Sequence, residues 1–236
     1  AELWEALEAC GAPFISVPHH PSAASHPFDW NQFNPKYERL VEVYSMWGSS
    51  EYHGDTPRGG SDRYPDLYVR KALDRGLRFG LIASSDGHDG QPGNAQGRPR
   101  DMFARRGGSG WVAVLCDELT RENVWNALYD RRCYATTGVP IGLSFSIDGA
   151  IMGSELPAII DGLPTLQIGV EGCNGIDHLR IVKDGRVVHT EWCHGEMTSQ
   201  FTWTDDAYDP ATPSYYYIRV VQVDYESAWS SPIWIG

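Results

Sequence analysis

The 236-residue chain predicts an α/β segment followed by an all-β segment, and three observations carry that prediction. Apolar strand-like runs alternate with helical patterns as far as Val139-Pro140. Beyond that dipeptide the helical periodicity ends, and short alternating runs separated by turn signals replace it. His, Asp and Glu residues gather at the ends of the early runs, where parallel strands share one functional edge. We therefore expect residues 1–140 to form β/α units of a parallel sheet or barrel, and residues 141–236 to form an antiparallel β-sandwich-like domain.

The elements follow in order. Glu2 to Cys10 places Leu3, Leu7 and Cys10 on one helical face, and Gly11 supplies the stop. Phe14-Ile15-Ser16-Val17 reads as a strand with His19-His20 at its C-terminal end. Leu40 to Ser45 reads as a second strand of alternating pattern. Asp66 to Arg75 reads as a helix closed by Gly76. Phe79 to Ala83 is an aliphatic run that reads as a buried strand, and it leads directly into Ser84-Ser85-Asp86-Gly87-His88. Trp111 to Leu115 is a further strand, and Thr120 is placed to cap a helix carrying Val124, Trp125 and Leu128. Cys133 to Thr137 reads as a short strand. The second half reads as strands at 143–147, 166–170, 178–182, 187–190, 200–203, 215–223 and 229–235. Asp148-Gly149 and Lys183-Asp184-Gly185-Arg186 mark turns, the latter a tight hairpin.

Composition narrows the function. With 31 acidic residues against 19 basic, the formal net charge is -12, which makes a nucleic acid or an anionic membrane a poor general partner. No apolar run reaches the ~18 residues of a membrane-spanning helix. The five cysteines are odd in number, widely spaced and contain no Cys-x-x-Cys, which argues against a zinc ribbon or a dense disulfide framework. At most a single bridge is expected, for which Cys173 and Cys193 in the second half are the candidates.

The chemistry concentrates at three strand ends. His19 and His20 end the first run. Glu42 lies within the second, with Glu51 and His53 in the loop after it. Asp86 and His88 follow the third. Imidazole nitrogen with carboxylate oxygen suits Zn, Mn or Fe, and ligands converging from several strand ends leave one side of an ion open to water or substrate. Each residue also has a plainer reading, as a turn former, a loop histidine or, for Glu42, a solvent-facing or ion-paired strand residue. Strand alternation allows only one of His19 and His20 to face inward.

Val17-Pro18-His19-His20-Pro21, Leu40-Val41-Glu42-Val43-Tyr44-Ser45 with Gly48-Ser49-Ser50-Glu51, and Ser84-Ser85-Asp86-Gly87-His88 together resemble the PHP superfamily of metal-dependent phosphoesterases. The subfamily DUF3604 is the nearer resemblance, through Leu119-Thr120-Arg121-Glu122, Arg132 to Gly138, and Ala228 to Trp234. The resemblance implies a distorted (β/α)7 barrel, of which this chain would be the C-terminal part. It also implies hydrolysis of phosphate esters by a metal-activated water, with Asp86 and His88 catalytic. The metal ligands would be His19, His20, Asp86 and His88, with His19 favoured within the pair. The family's His-x-His motif does not occur in this chain, so the resemblance assigns it to a missing N-terminal segment of the same protein. A small phosphorylated substrate is the expected partner, with Arg58, Arg98 or Arg121 as candidates to meet its charge. A different use of the chain is also open: the aromatic residues Trp192, Trp203, Tyr215, Tyr216, Tyr217, Trp229 and Trp234 could form a stacking platform of a non-catalytic binding module.

Overall fold

The computed structural model describes residues 2–54, 64–88 and 109–236. Its centre is an eight-stranded sheet whose main path runs β11-β10-β13-β14-β5-β4. These strands are Arg186–Trp192 (β11), Ile176–Lys183 (β10), Ser214–Gln222 (β13), Ser227–Ser230 (β14), Cys133–Thr136 (β5) and Trp111–Val114 (β4). Ile233–Ile235 (β15) adds to β13, and Glu155–Leu156 (β8) pairs with β15. A four-stranded sheet, β12-β9-β6-β7, is built from Thr198–Thr204, Thr165–Glu171, Gly142–Ile147 and Ala150–Ile151. A three-stranded sheet, β2-β1-β3, is built from Gly48–Ser49, Leu40–Ser45 and Gly80–Ala83.

The strand β13 at the middle of the central sheet is buried on both faces, and side-chain alternation explains how. Tyr216, Ile218 and Val220 of β13 point into the core shared with the four-stranded sheet, where Leu143, Phe145, Ile147, Leu166 and Ile168 meet them. Tyr215 and Tyr217 of the same strand point into a second core. There they join Val41, Val43 and Tyr44 of β1, Leu81 of β3, and Trp229 and Trp234. The result is three layers, with the antiparallel sheet as the shared middle one. The Asp148-Gly149 turn joins β6 to β7 and Asp184-Gly185 joins β10 to β11; all four residues have positive φ, which Asp and Gly tolerate best.

The (β/α)7 barrel is not what the chain forms. Among the described residues, parallel pairing is limited to β1 with β3 and the short β8 with β15. The strands β4 and β5, expected to continue a parallel succession, pair antiparallel with each other and join the central sheet through β14. Three short α-helices, Glu2–Ala9 (α1), Val69–Asp74 (α2) and Arg121–Tyr129 (α3), stand beside fifteen strands among the described residues, too few to give each parallel strand its crossover helix. The β-sandwich-like part of the expectation fits. Residues 14–17 also differ from the strand expected: they lie outside any ladder. Single bonds from Ser16 N to Tyr37 O and from Glu42 N to Pro18 O tie them down. Pro13 and Pro18 flank the run and have no N–H to donate. Thr120 caps α3 as expected, its side chain accepting from Asn123 N.

Candidate metal centre

The strand β1 is wholly buried, yet it carries Glu42 at its centre, opposite Ile82 of β3. A carboxylate there must be satisfied, and it is. Glu42 Oε1 accepts from the backbone N–H of His20 at 3.1 Å, and Oε2 lies 2.9 Å from His19 Nδ1 and accepts from Ser84 Oγ. Glu42 therefore neither faces solvent nor enters the cleft; it fixes the His19 ring so that Nε2 points outward.

Two backbone departures bring the remaining groups together. His20 has φ +28° and Asp86 has φ +50°, conformations uncommon outside glycine and concentrated at functional sites. No regular strand alternation holds at His20, and both imidazoles line the cleft, their ring centroids 3.8 Å apart. His19 Nε2 lies 3.2 Å and His20 Nε2 3.7 Å from Asp86 Oδ2. On the other carboxylate oxygen, His88 Nε2 lies 3.1 Å from Asp86 Oδ1. The cleft above them has a volume of about 480 Å³, with Ala23, Ser25, His26 and Trp47 completing its walls.

The hydrogen bond to Glu42 raises the His19 pKa, against the opposing pull of burial; the Glu42 and Asp86 charges add to the rise. Burial lowers that of His20, and the neighbouring His19 adds to the effect. A cation takes its imidazole ligands neutral, so the shift of His20 favours binding and that of His19 opposes it.

The donor set fits a divalent ion. One atom each from His19, His20 and Asp86 falls within 4.8 Å of the others. Tetrahedral zinc with bonds of about 2.0–2.1 Å spaces its ligand atoms about 3.3–3.4 Å apart, close to the 3.2 and 3.7 Å found here. Asp86 Oδ2 is buried and accepts no well-formed hydrogen bond among the described residues, which leaves it available to an ion beside the two imidazoles. His88 is largely exposed and sits at the rim.

Other candidates fall elsewhere. Glu51 is fully buried, but in an ion network away from the cleft lining: Oε1 accepts from Arg70 Nη2 and Tyr217 Oη, both at 2.6 Å, and Oε2 from Trp229 Nε1 at 2.7 Å and Arg219 Nη1 at 3.1 Å. His53 lies edge-on to Tyr68. Arg121 begins α3 and is exposed; it is not among the residues lining the cleft. Arg58 and Arg98 lie outside the described residues. Cys173 and Cys193 are both free thiols, so the suggested bridge does not form. Of the seven aromatic residues offered as a platform, Tyr215, Tyr216, Tyr217, Trp229 and Trp234 are buried, and Trp192 alone is strongly exposed. Sequence reasoning left Glu42 open and gave no role in the site to Ser84, Trp47 or His26. The available signal was a lone carboxylate inside an otherwise uncharged six-residue strand.

The chain is similar to proteins of chlamydiae. It is 34% identical over 241 residues to an uncharacterized protein of Chlamydia pneumoniae. It is 35% identical over 243 residues to uncharacterized proteins of Chlamydia trachomatis and Chlamydia muridarum. Each match takes in 94% of this chain but 38% of the relative, so the chain spans well under half the length of the curated relatives it matches. No family model matches the chain, and no solved structure matches it.

Proposed function

We propose that this chain contributes the metal-binding cleft of a metal-dependent hydrolase, and that its substrates are phosphate esters. The observation that carries the proposal is the convergence of His19 Nε2, His20 Nε2 and Asp86 Oδ2 from two separate chain segments. The ordered His-His, Val-Glu-Val-Tyr and Asp-x-His motifs, which resemble those of PHP phosphoesterases, supply the reaction class.

In this reading His19, His20 and Asp86 hold the ion, leaving one side open to the cleft. Glu42, pinned by Ser84 and by the His20 N–H, holds His19 in the tautomer that keeps Nε2 free. A divalent ion bound there supplies Lewis acidity toward a phosphoryl oxygen and acidifies water. His88, exposed at the rim and held by Asp86 Oδ1, is placed to bind a phosphoryl oxygen or to give a proton to the departing alkoxide. Further ligands, and cationic groups for the phosphate, are proposed to come from another segment of a longer protein, as the greater length of the relatives allows.

The test is hydrolysis of a generic phosphomonoester by the intact protein that contains this chain, with added Mn or Zn. We expect activity that Asp86→Ala abolishes and that His88→Ala lowers ~10²-fold or more, as loss of a positioned acid does. Unchanged activity in the Asp86→Ala protein refutes the reading.

A further inference from the structure

The face of the central sheet that carries the second core continues past it. Along β10 the residues on that face are His178, Arg180 and Val182, and along β13 they are Tyr217, Arg219 and Val221. Arg180 and Arg219 are direct cross-strand partners. Two like charges in that relation repel and destabilise the pair, so a fold that keeps them must neutralise them or use them.

Only one of the two is neutralised by the network already described. Arg219 is nearly buried, held by Glu51 Oε2 at 3.1 Å and by Tyr52 Oη at 3.3 Å. Glu51 also serves Arg70, so a single carboxylate faces two guanidiniums. Arg180 is half-buried and, among the described residues, has no ion pair or side-chain hydrogen bond. Next to it, His178 directs Nδ1 to Asp177 at 2.7 Å, while its Nε2 is buried with no partner among the described residues. Asp177 is the acidic group that acts on His178, and their contact engages it. The exposed Trp192 of β11 stands directly across from His178, ring centroids 5.2 Å apart.

We infer that Arg180, with Arg219 and His178 beside it, forms an anion-binding site separate from the cleft. It would take a phosphate monoester whose planar group stacks on Trp192. A guanidinium fixed by Glu51 and Tyr52 and a second one without a partner present a fork of donors to a tetrahedral oxyanion. The flat indole offers an exposed face to an aromatic substituent. Burial, together with the Arg180 and Arg219 charges, depresses the His178 imidazole despite Asp177. A bound anion reverses that electrostatic balance, and His178 then takes up a proton at Nε2 and donates it to the ligand.

The experiment titrates the full chain, in chelator so that the metal cleft takes no part, with inorganic phosphate and with a nucleoside monophosphate, followed by NMR. We expect shifts confined to Arg180, Arg219, His178 and Trp192, a rise in the His178 pKa on binding, and tighter binding of the nucleotide than of phosphate. Arg180→Gln should weaken both ligands at least tenfold with the fold retained, and Trp192→Ala should remove the nucleotide's advantage. Absence of shifts at these residues at millimolar ligand, or equal affinity in the Arg180→Gln protein, overturns the inference.

Discussion

Glu42 illustrates how one side chain can be decisive without reaching the solvent. Its carboxylate spends its hydrogen-bonding capacity on His19, the His20 N–H and Ser84, and those bonds aim the His19 ring. Glu42→Gln keeps the shape but halves the acceptor character, and outer-sphere losses of this kind typically lower metal affinity ~10–100-fold. Zinc affinity measured by competition with a chromophoric chelator checks this; wild-type affinity in the variant would remove Glu42 from the site. The thiols differ at the same scale. Burial pushes the Cys133 thiol up to about 12, against a smaller opposing effect of Ser231, while Cys10 and Cys173 are exposed. A disulfide reagent should therefore modify Cys10 and Cys173 in the native protein and reach Cys133 only on unfolding. That Asp86 follows a buried strand was legible, because the run Phe79 to Ala83 is a local apolar signal, whereas the strand expected before His19 and His20 does not form. That both histidines face Asp86 was not legible, since it depends on the positive φ of His20, which nothing local in His-His-Pro dictates.

Among the elements, the segment from β2 to α2 is joined to the central sheet by charge as well as by packing. Burial works to raise the Glu51 pKa, but Arg219 and Arg70, with hydrogen bonds from Tyr217 and Trp229, overcome it and hold the carboxyl at about 2. A depressed carboxyl stabilises the fold fully above its unfolded value near 4.5, and that stability drains away as pH falls from there toward 2. Replacing Glu51 by Gln leaves two buried guanidiniums short of a counter-charge, so a loss of about 3–5 kcal/mol is expected in chemical denaturation at pH 7. It should also flatten the acid limb of the stability profile; a variant as stable as wild type at pH 7 contradicts the network's role. The strand Leu40–Ser45, the turn at Asp184-Gly185 and the Thr120 cap were readable because each has a local cause. The partner of Glu51 was not, because Arg70, Tyr217, Arg219 and Trp229 lie far along the chain and only the sheet brings them together.

For the whole molecule, the three-layer arrangement governs which pieces can stand alone. The central sheet bridges the two sides of residue 140: β5 from before it pairs with β14 from after it and carries β4 on its other edge. Tyr215, Tyr217, Trp229 and Trp234 are buried by residues of the first ninety positions. Residues 141–236 expressed alone should therefore expose those rings, bind a hydrophobic dye and unfold without cooperativity. Sharp cooperative unfolding of that piece would show the second core to be dispensable. Alternation along the second half predicted a sandwich correctly, because period 2 is a local property. The first half predicted a barrel because apolar runs and helical patterns do alternate there. Periodicity does not record strand direction, and β4 and β5 run antiparallel where the barrel required parallel neighbours.

The central claim is that His19, His20 and Asp86 converge on one divalent cation. Titration of the wild-type chain and of Asp86→Ala with zinc, side by side in a calorimeter, tests it most directly. One saturable site is expected in the wild type, with proton release from the histidines, and a loss of at least tenfold in affinity in the variant. Equal affinity in the two proteins, or no saturable site in the wild type, would contradict it.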